Sequence, residues 1–196
     1  MQEFVAHIEK KDLHSLSNIV FPGKIKVVSN LYETENAVKN LATFDLLGFD
    51  TETKPAFYKG QKHKIALLQL SSSITTYLFR LHATGIPDCL AQLLENEDIK
   101  KIGAAVHDDI KGLQHIRRIK PSGFIDLQHI VSNYGIQDKS VQKIAAIVLN
   151  ARISKSQRLT NWENEELTDL QQLYAATDAW VCREIYVQLT NKLSNV

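Results

Sequence analysis

The chain has 196 residues, enough for one domain with a substantial core and too few for two comfortable ones. Hydrophobic residues make up 44% and charged ones 23%, an ordinary globular balance, and the apolar runs are too short to cross a membrane as a helix. The formal net charge of +1, from 23 Lys+Arg against 22 Asp+Glu, gives no bulk pull toward nucleic acid, although cations bound by a carboxylate cluster would leave the surface more basic than this sum.

In chain order, MQEFVAHIEKKDLHSL is charged and amphipathic and lacks an apolar stretch followed by a small-residue cleavage site, so no signal peptide is expected. Residues 1–24 read as a helical lead-in, closed by the breakers Pro22-Gly23, ahead of a main domain over 25–196. The stretch IKVV (25–28) is short and apolar, and ETENAVKNLA (33–42) has helical spacing. LLGFD (46–50) reads as a strand buried in a sheet, and the polar segment Lys54–Lys64 as a loop. IALLQLSS (65–72) and TTYLFRL (75–81) predict an antiparallel hairpin. PDCLAQLLEN (87–96) starts a helix at Pro87, KKIGAAV (100–106) is strand-like, and DDIKGLQHI is helical. GFIDL (123–127) predicts a strand, followed by the helices LQHIVSNYG, stopped at Gly135, and SVQKIAAIVLN. Arg152–Glu166 is irregular, and a long helix runs from about Asp169 to Leu193 behind a Thr168–Gln171 capping box. The fold class is α/β, with a mixed β-sheet flanked by α-helices. Cys89 and Cys182 are far apart without metal-type spacing, as expected of reduced thiols in a cytoplasmic protein.

The acids carry the chemistry. Asp50 and Glu52, two apart at a strand end, project to one face, and two adjacent carboxylates stay ionised only beside cations. Ordinary solvated acids are the plainer explanation of that pair alone. Asp178 and Tyr174 share a helix face with Leu170, Leu173, Thr177, Val181 and Ile185, the side expected to be buried, where an unpaired acid is costly. Asp108 and Asp109 both suit a helix start. Asp109 is in line with Leu113 and Ile116 and faces the core, leaving Asp108 as the expected cap.

GFDTET, IALLQLS, KKIGAAVHDDIKGL, LTNW and LTDLQQLYAATDAW together resemble the DEDD exonucleases of the RNase D type. The Tyr-x-x-x-Asp ending resembles their tyrosine-bearing branch, and within it the Werner-syndrome type of exonuclease domain, over roughly residues 25–190. One departure is His107-Asp108, where many relatives have a neutral residue before the second-motif acid. The resemblance implies an RNase H-like exonuclease fold and a 3′-5′ exonuclease releasing nucleoside 5′-monophosphates from the 3′ end of DNA or RNA. It implies the catalytic set Asp50, Glu52, Asp109, Tyr174 and Asp178, with the four acids holding two Mg²⁺ or Mn²⁺ ions and Tyr174 orienting the attacking water. Hard carboxylate oxygens suit those ions, and no Cys/His cluster argues for zinc. The alternative is a catalytically inactive nucleic-acid-binding module of the same fold; an endonuclease of related fold would instead cut internally.

Substrate contacts are expected at Thr51 and Thr53, beside the first acids, and at Lys155, Arg158 and Asn161 before the last helix. Two further basic clusters, Lys59–Lys64 and Arg117-Arg118-Ile-Lys120, are candidates to track a phosphate backbone, the first favoured because it flanks a predicted active-site segment, although solvated surface is the plainer reading of each. Trp162 either stacks on a base or, the plainer reading, anchors its loop. Gln69 either faces the site from its strand or serves the backbone. No feature specifies an oligomeric state or a membrane partner.

Overall fold

In a computed structural model the described residues are 4–56, 58, 60, 61 and 63–194, the last three as backbone only. A short helix α1 (Lys10–Leu13) lies within the lead-in, and the chain continues into β1 (Lys24–Val28), α2 (Leu31–Leu41) and β2 (Leu46–Thr53). The hairpin strands β3 (Ile65–Ser71) and β4 (Thr75–Arg80) follow, then α3 (Leu81–Thr84), α4 (Asp88–Glu95), β5 (Lys100–Gly103) and α5 (Val106–Ile116). The rest is β6 (Phe124–Asp126), α6 (Leu127–Ile130) with a 3₁₀ turn (Val131–Tyr134), α7 (Val141–Leu149) and α8 (Asp169–Ser194).

The strands form a mixed sheet in the order β1-β4-β3-β2-β5-β6. β3 is antiparallel to both β4 and β2, while β1–β4, β2–β5 and β5–β6 pair parallel. Both central hairpin strands are buried along their whole length, which is why IALLQL is apolar without alternation. One face carries α2, α4 and α5 over Leu47, Phe49, Leu68, Leu70 and Phe79. The other carries α7 and α8 over Ile102, Leu67 and Leu78.

α8 approaches β2 more closely than a side chain would permit. A Cβ on Gly48 would lie 1.9 Å from the Ala179 carbonyl oxygen, and Ala175, Ala176 and Ala179 keep that stretch of helix slim and fully buried. The capping box closes the helix start: the Thr168 N–H donates to Gln171 Oε1 at 3.1 Å, and the Gln171 N–H to Thr168 Oγ1 at 3.2 Å.

Four expectations change. The lead-in is helical only over Lys10–Leu13, because tertiary partners take its backbone groups: the Gln137 N–H donates to the Ala6 carbonyl and the Ile8 N–H to Asp138. The strand KKIGAAV ends at Gly103, since Ala105 turns left-handed at φ 59° and Val106 begins α5. The single helix LQHIVSNYG is a short α-helix running into a 3₁₀ turn, ended at Gly135 with φ 80°. Leu170 is 66% exposed rather than buried, on the lining of the open hollow that also holds Tyr174 and Asp178. No helix among the described residues is long and apolar enough to cross a membrane.

Candidate active site

Strand alternation separates the two jobs of β2. Leu47 and Phe49 enter the core beneath α2, α4 and α5, so Gly48, Asp50 and Glu52 face α8. The close packing at Gly48 then brings α8 down onto Asp50. Carboxylate oxygens of Asp50, Glu52 and Asp178 lie within 4.8 Å of one another. No Lys or Arg among the described residues is within ion-pairing distance of the three.

Such a cluster resists ionisation. Burial, with the charges of Asp178 and Asp109, holds the Asp50 carboxyl well above the carboxylate range. Burial and the neighbouring Asp50, Asp178 and Asp109 push Glu52 up to about 9, against the pull of Arg158. Burial raises Asp178 to about 7, opposed by its hydrogen bond with Tyr174 and by Lys155. The phenol of Tyr174 is itself raised, by burial and then by Asp178 and Glu52. Three carboxyl groups this close, with no cation paired to them among the described residues, are a donor set that suits a hard divalent cation.

Asp109 comes from the other side of the strand. Thr51, pointing away from Asp50 and Glu52, donates its hydroxyl to Asp109 Oδ1, and its N–H donates to Asp50 Oδ1 at 2.9 Å. Asp109 therefore joins the site across Thr51 and is not one of the three close donors. Burial lifts it to about 6 while the Thr51 hydroxyl opposes the rise. Asp108 is exposed, as expected, yet it is not the cap. The start of α5 has no cap from its own turn; Asp126 accepts from the N–H groups of Ala105 and Val106 at 3.1 and 3.2 Å, and also from Gln128 N–H. Asp126 thus fixes the helix that carries Asp109. It sits unremarkably in GFIDL, and only its place at the end of a strand beside a helix start could have signalled it.

The outer residues divide. Lys155 and Arg158 are exposed and act electrostatically on Asp178 and Glu52, so both lie beside the cluster. Thr53 is exposed at the end of β2, past a register shift after Glu52. Asn161 is turned into its own loop: its amide donates to Asn164 Oδ1 at 2.7 Å and its Oδ1 accepts from Glu163 N–H at 3.1 Å. Trp162 is fully buried against Tyr174, ring centroids 6.0 Å apart, so it anchors the loop and supports the tyrosine. Gln69, opposite Asp50 in the β2–β3 register, is fully buried on the α8 side with both amide atoms unpartnered. Arg80, singled out by no motif, is buried and donates to the carbonyls of Asn164 and Glu165, tying the same loop to the end of β4. Of the two basic clusters, Arg117 is held by the Ile86 carbonyl and Asp88, and Lys59 and Lys62 lie outside the described residues.

A family model described as 3′-5′ exonuclease matches residues 25–194. The chain belongs to the 3′-5′ exonuclease family. Among curated members, this exonuclease-family chain is 32% identical over 187 residues to the mouse bifunctional 3′-5′ exonuclease/ATP-dependent helicase WRN, covering 90% of the chain and 13% of that protein. It is 33% identical over 189 residues to Drosophila melanogaster exonuclease 3′-5′ domain-containing protein 2, covering 91% of the chain and 32% of that protein. The chain thus spans a third or less of these relatives. In fold it matches the crystal structure of Escherichia coli RNase D, with a TM-score of 0.78 at 19% identity over 88% of this chain and 46% of that one. The RNase H-like exonuclease architecture expected from the sequence is the one observed.

Proposed function

We propose that this domain is a metal-dependent 3′-5′ exonuclease that removes nucleotides one at a time from the 3′ end of a DNA or RNA strand, releasing nucleoside 5′-monophosphates. The observation that carries the reading is the convergence of Asp50, Glu52 and Asp178 within 4.8 Å, without a cationic partner, in a chain of this family. Their hard oxygens suit Mg²⁺ or Mn²⁺. Asp50 would hold both ions of a pair, Glu52 and Asp178 would complete one shell, and Asp109 would serve the second. Such ions, when bound, supply an activated water and neutralise charge on the leaving oxygen.

The remaining residues position the substrate. Tyr174 keeps its proton at neutral pH, its phenol being raised by burial, so it orients the attacking water and does not act as general base. Lys155 and Arg158 attract the phosphodiester to the mouth of the site. Thr51 holds Asp109 and, with Thr53, borders the position of the terminal nucleotide; Asn161 shapes the loop beside it.

The test is a strand labelled at its 5′ end, with a free or a blocked 3′ end, incubated with Mg²⁺ or Mn²⁺. Stepwise shortening of the free-ended strand alone is expected, with a loss of at least about a thousandfold in Asp50→Ala. Internal cutting of the blocked strand, or full turnover by Asp50→Ala, overturns the reading.

A further inference from the structure

The lead-in does not belong to the region matched by the family, residues 25–194, yet it builds one wall of the catalytic groove. Phe21 is buried, its N–H donates to Thr177 Oγ1 at 3.0 Å, and its ring packs against Trp180 of α8. Just before it, the chain is stitched to the segment that follows α7. Asn18 and Arg152 form a parallel bridge, with the Ile19 N–H donating to the Arg152 carbonyl and the Arg152 N–H to the Ser17 carbonyl. This seam has a hollow on each side. One holds Tyr174 and Asp178 against Asn18, Ile19 and Val20. The other, of about 510 Å³, is lined by Lys10, His14, Asn18, Arg152, Ser154 and Lys155 among others. Asn18 and Ser154 line both, so the two hollows adjoin along the seam.

The second hollow is one-signed. Lys10, Arg152 and Lys155 line it, and no carboxylate among the described residues does. Arg152 lines the hollow, and its buried Nε has no hydrogen-bond partner within the protein, so its guanidinium is not tied up by neighbouring acceptors at that atom. The geometry points to a backbone-phosphate subsite in this hollow, in which Lys10 and Arg152 grip the substrate strand upstream of the nucleotide being removed. Lys155 lines this hollow, and its neighbours Ser154 and Ser156 line the one that holds Asp178, so a strand whose end lies at Asp178 is led past it into this subsite. A subsite of this kind adds affinity only for strands long enough to reach it. It acts through phosphate and is therefore indifferent to sequence. The inference rests on the exonuclease reading above.

The experiment compares a dinucleotide with a long single-stranded oligonucleotide, in wild type, Lys10→Glu, Arg152→Gln and the distant control Lys39→Glu, each checked by thermal melting. In Lys10→Glu and Arg152→Gln, the kcat/KM preference for the long strand should fall about fivefold or more through KM, and the salt dependence of its KM should flatten by about 0.7 in log–log slope per lost contact. The control should keep both. Lys10 is exposed, so its variant decides the matter if Arg152→Gln fails to fold. Unaltered length preference and salt slope in folded Lys10→Glu overturn the subsite. So does a change confined to inhibition by inorganic phosphate or a nucleoside monophosphate, which marks a small-anion site. A wild type that hydrolyses neither substrate with Mg²⁺ or Mn²⁺ overturns the exonuclease reading instead.

Discussion

The hydroxyl of Thr51 is bonded to Asp109, which reaches the site from the opposite face of the strand to Asp50 and Glu52. The side chain between the two acids of the first motif is thus the link to the acid of the second.

Replacing Thr51 by Val keeps the shape and removes that link. Loss of a partner that orients a metal-binding carboxylate commonly costs about 10–100-fold in metal affinity or activity. Titration of nuclease activity with Mn²⁺ should show a half-activation concentration raised by about tenfold. An unshifted titration curve counts against Asp109 as a metal-site residue.

The carboxyl cluster makes the metal-free protein sensitive to alkali. Asp109 is raised to about 6, Asp178 to about 7 and Glu52 to about 9, from ordinary values of 3.8 for Asp and 4.5 for Glu. Raised folded values mean that the native state binds more protons than the unfolded chain. Their stabilising contribution is therefore full below the unfolded values and is lost as pH climbs through the folded ones. Urea unfolding in chelator should show the wild type losing stability from about pH 5 to about pH 9 relative to a Glu52→Gln/Asp178→Asn variant. Saturating Mn²⁺ should reverse that trend in the wild type, since the metal favours ionised ligands. Parallel pH curves for the two proteins in chelator would contradict the clustering.

Gly48 sets the distance between β2 and α8. A methyl there would meet the Ala179 carbonyl oxygen, which is backbone and cannot swing aside. Gly48→Ala should destabilise the fold by about 3 kcal/mol and reduce activity with it, because Asp178 is displaced from Asp50 together with the helix. Differential scanning calorimetry reads the first effect, and a melting temperature equal to wild type would show that the packing relaxes.

Trp162 separates support from base stacking. Its ring is wholly buried beside Tyr174, so Trp162→Ala should cost about 3–5 kcal/mol of stability. Trp162→Phe, which retains most of the packing, should leave KM for an oligonucleotide near the wild-type value. A large rise in KM in a stable Trp162→Phe protein would reinstate direct contact with the substrate.

Local rules were enough for much of this. The two-residue period of a strand puts Asp50 and Glu52 on one face. The four-residue step of a helix aligns Tyr174 with Asp178, and Thr168 with Gln171 marks where that helix starts. The β3–β4 hairpin follows from two adjacent apolar runs. What the sequence left open depended on residues distant along the chain. Whether Asp108 capped α5 was decided by Asp126, a strand away, whose carboxylate takes the N–H groups first. The lead-in unwinds because Gln137 and Asp138 offer its backbone better partners than its own next turn. Leu170 fits the helical stripe but lines an open hollow and stays exposed, since periodicity gives direction around a helix and says nothing of whether another layer covers that direction. The sequence by itself determined which acids and which tyrosine could share a site. Tertiary structure alone decided that Asp109 enters across Thr51 and that the lead-in walls the groove, because both rest on contacts between segments that no local period relates.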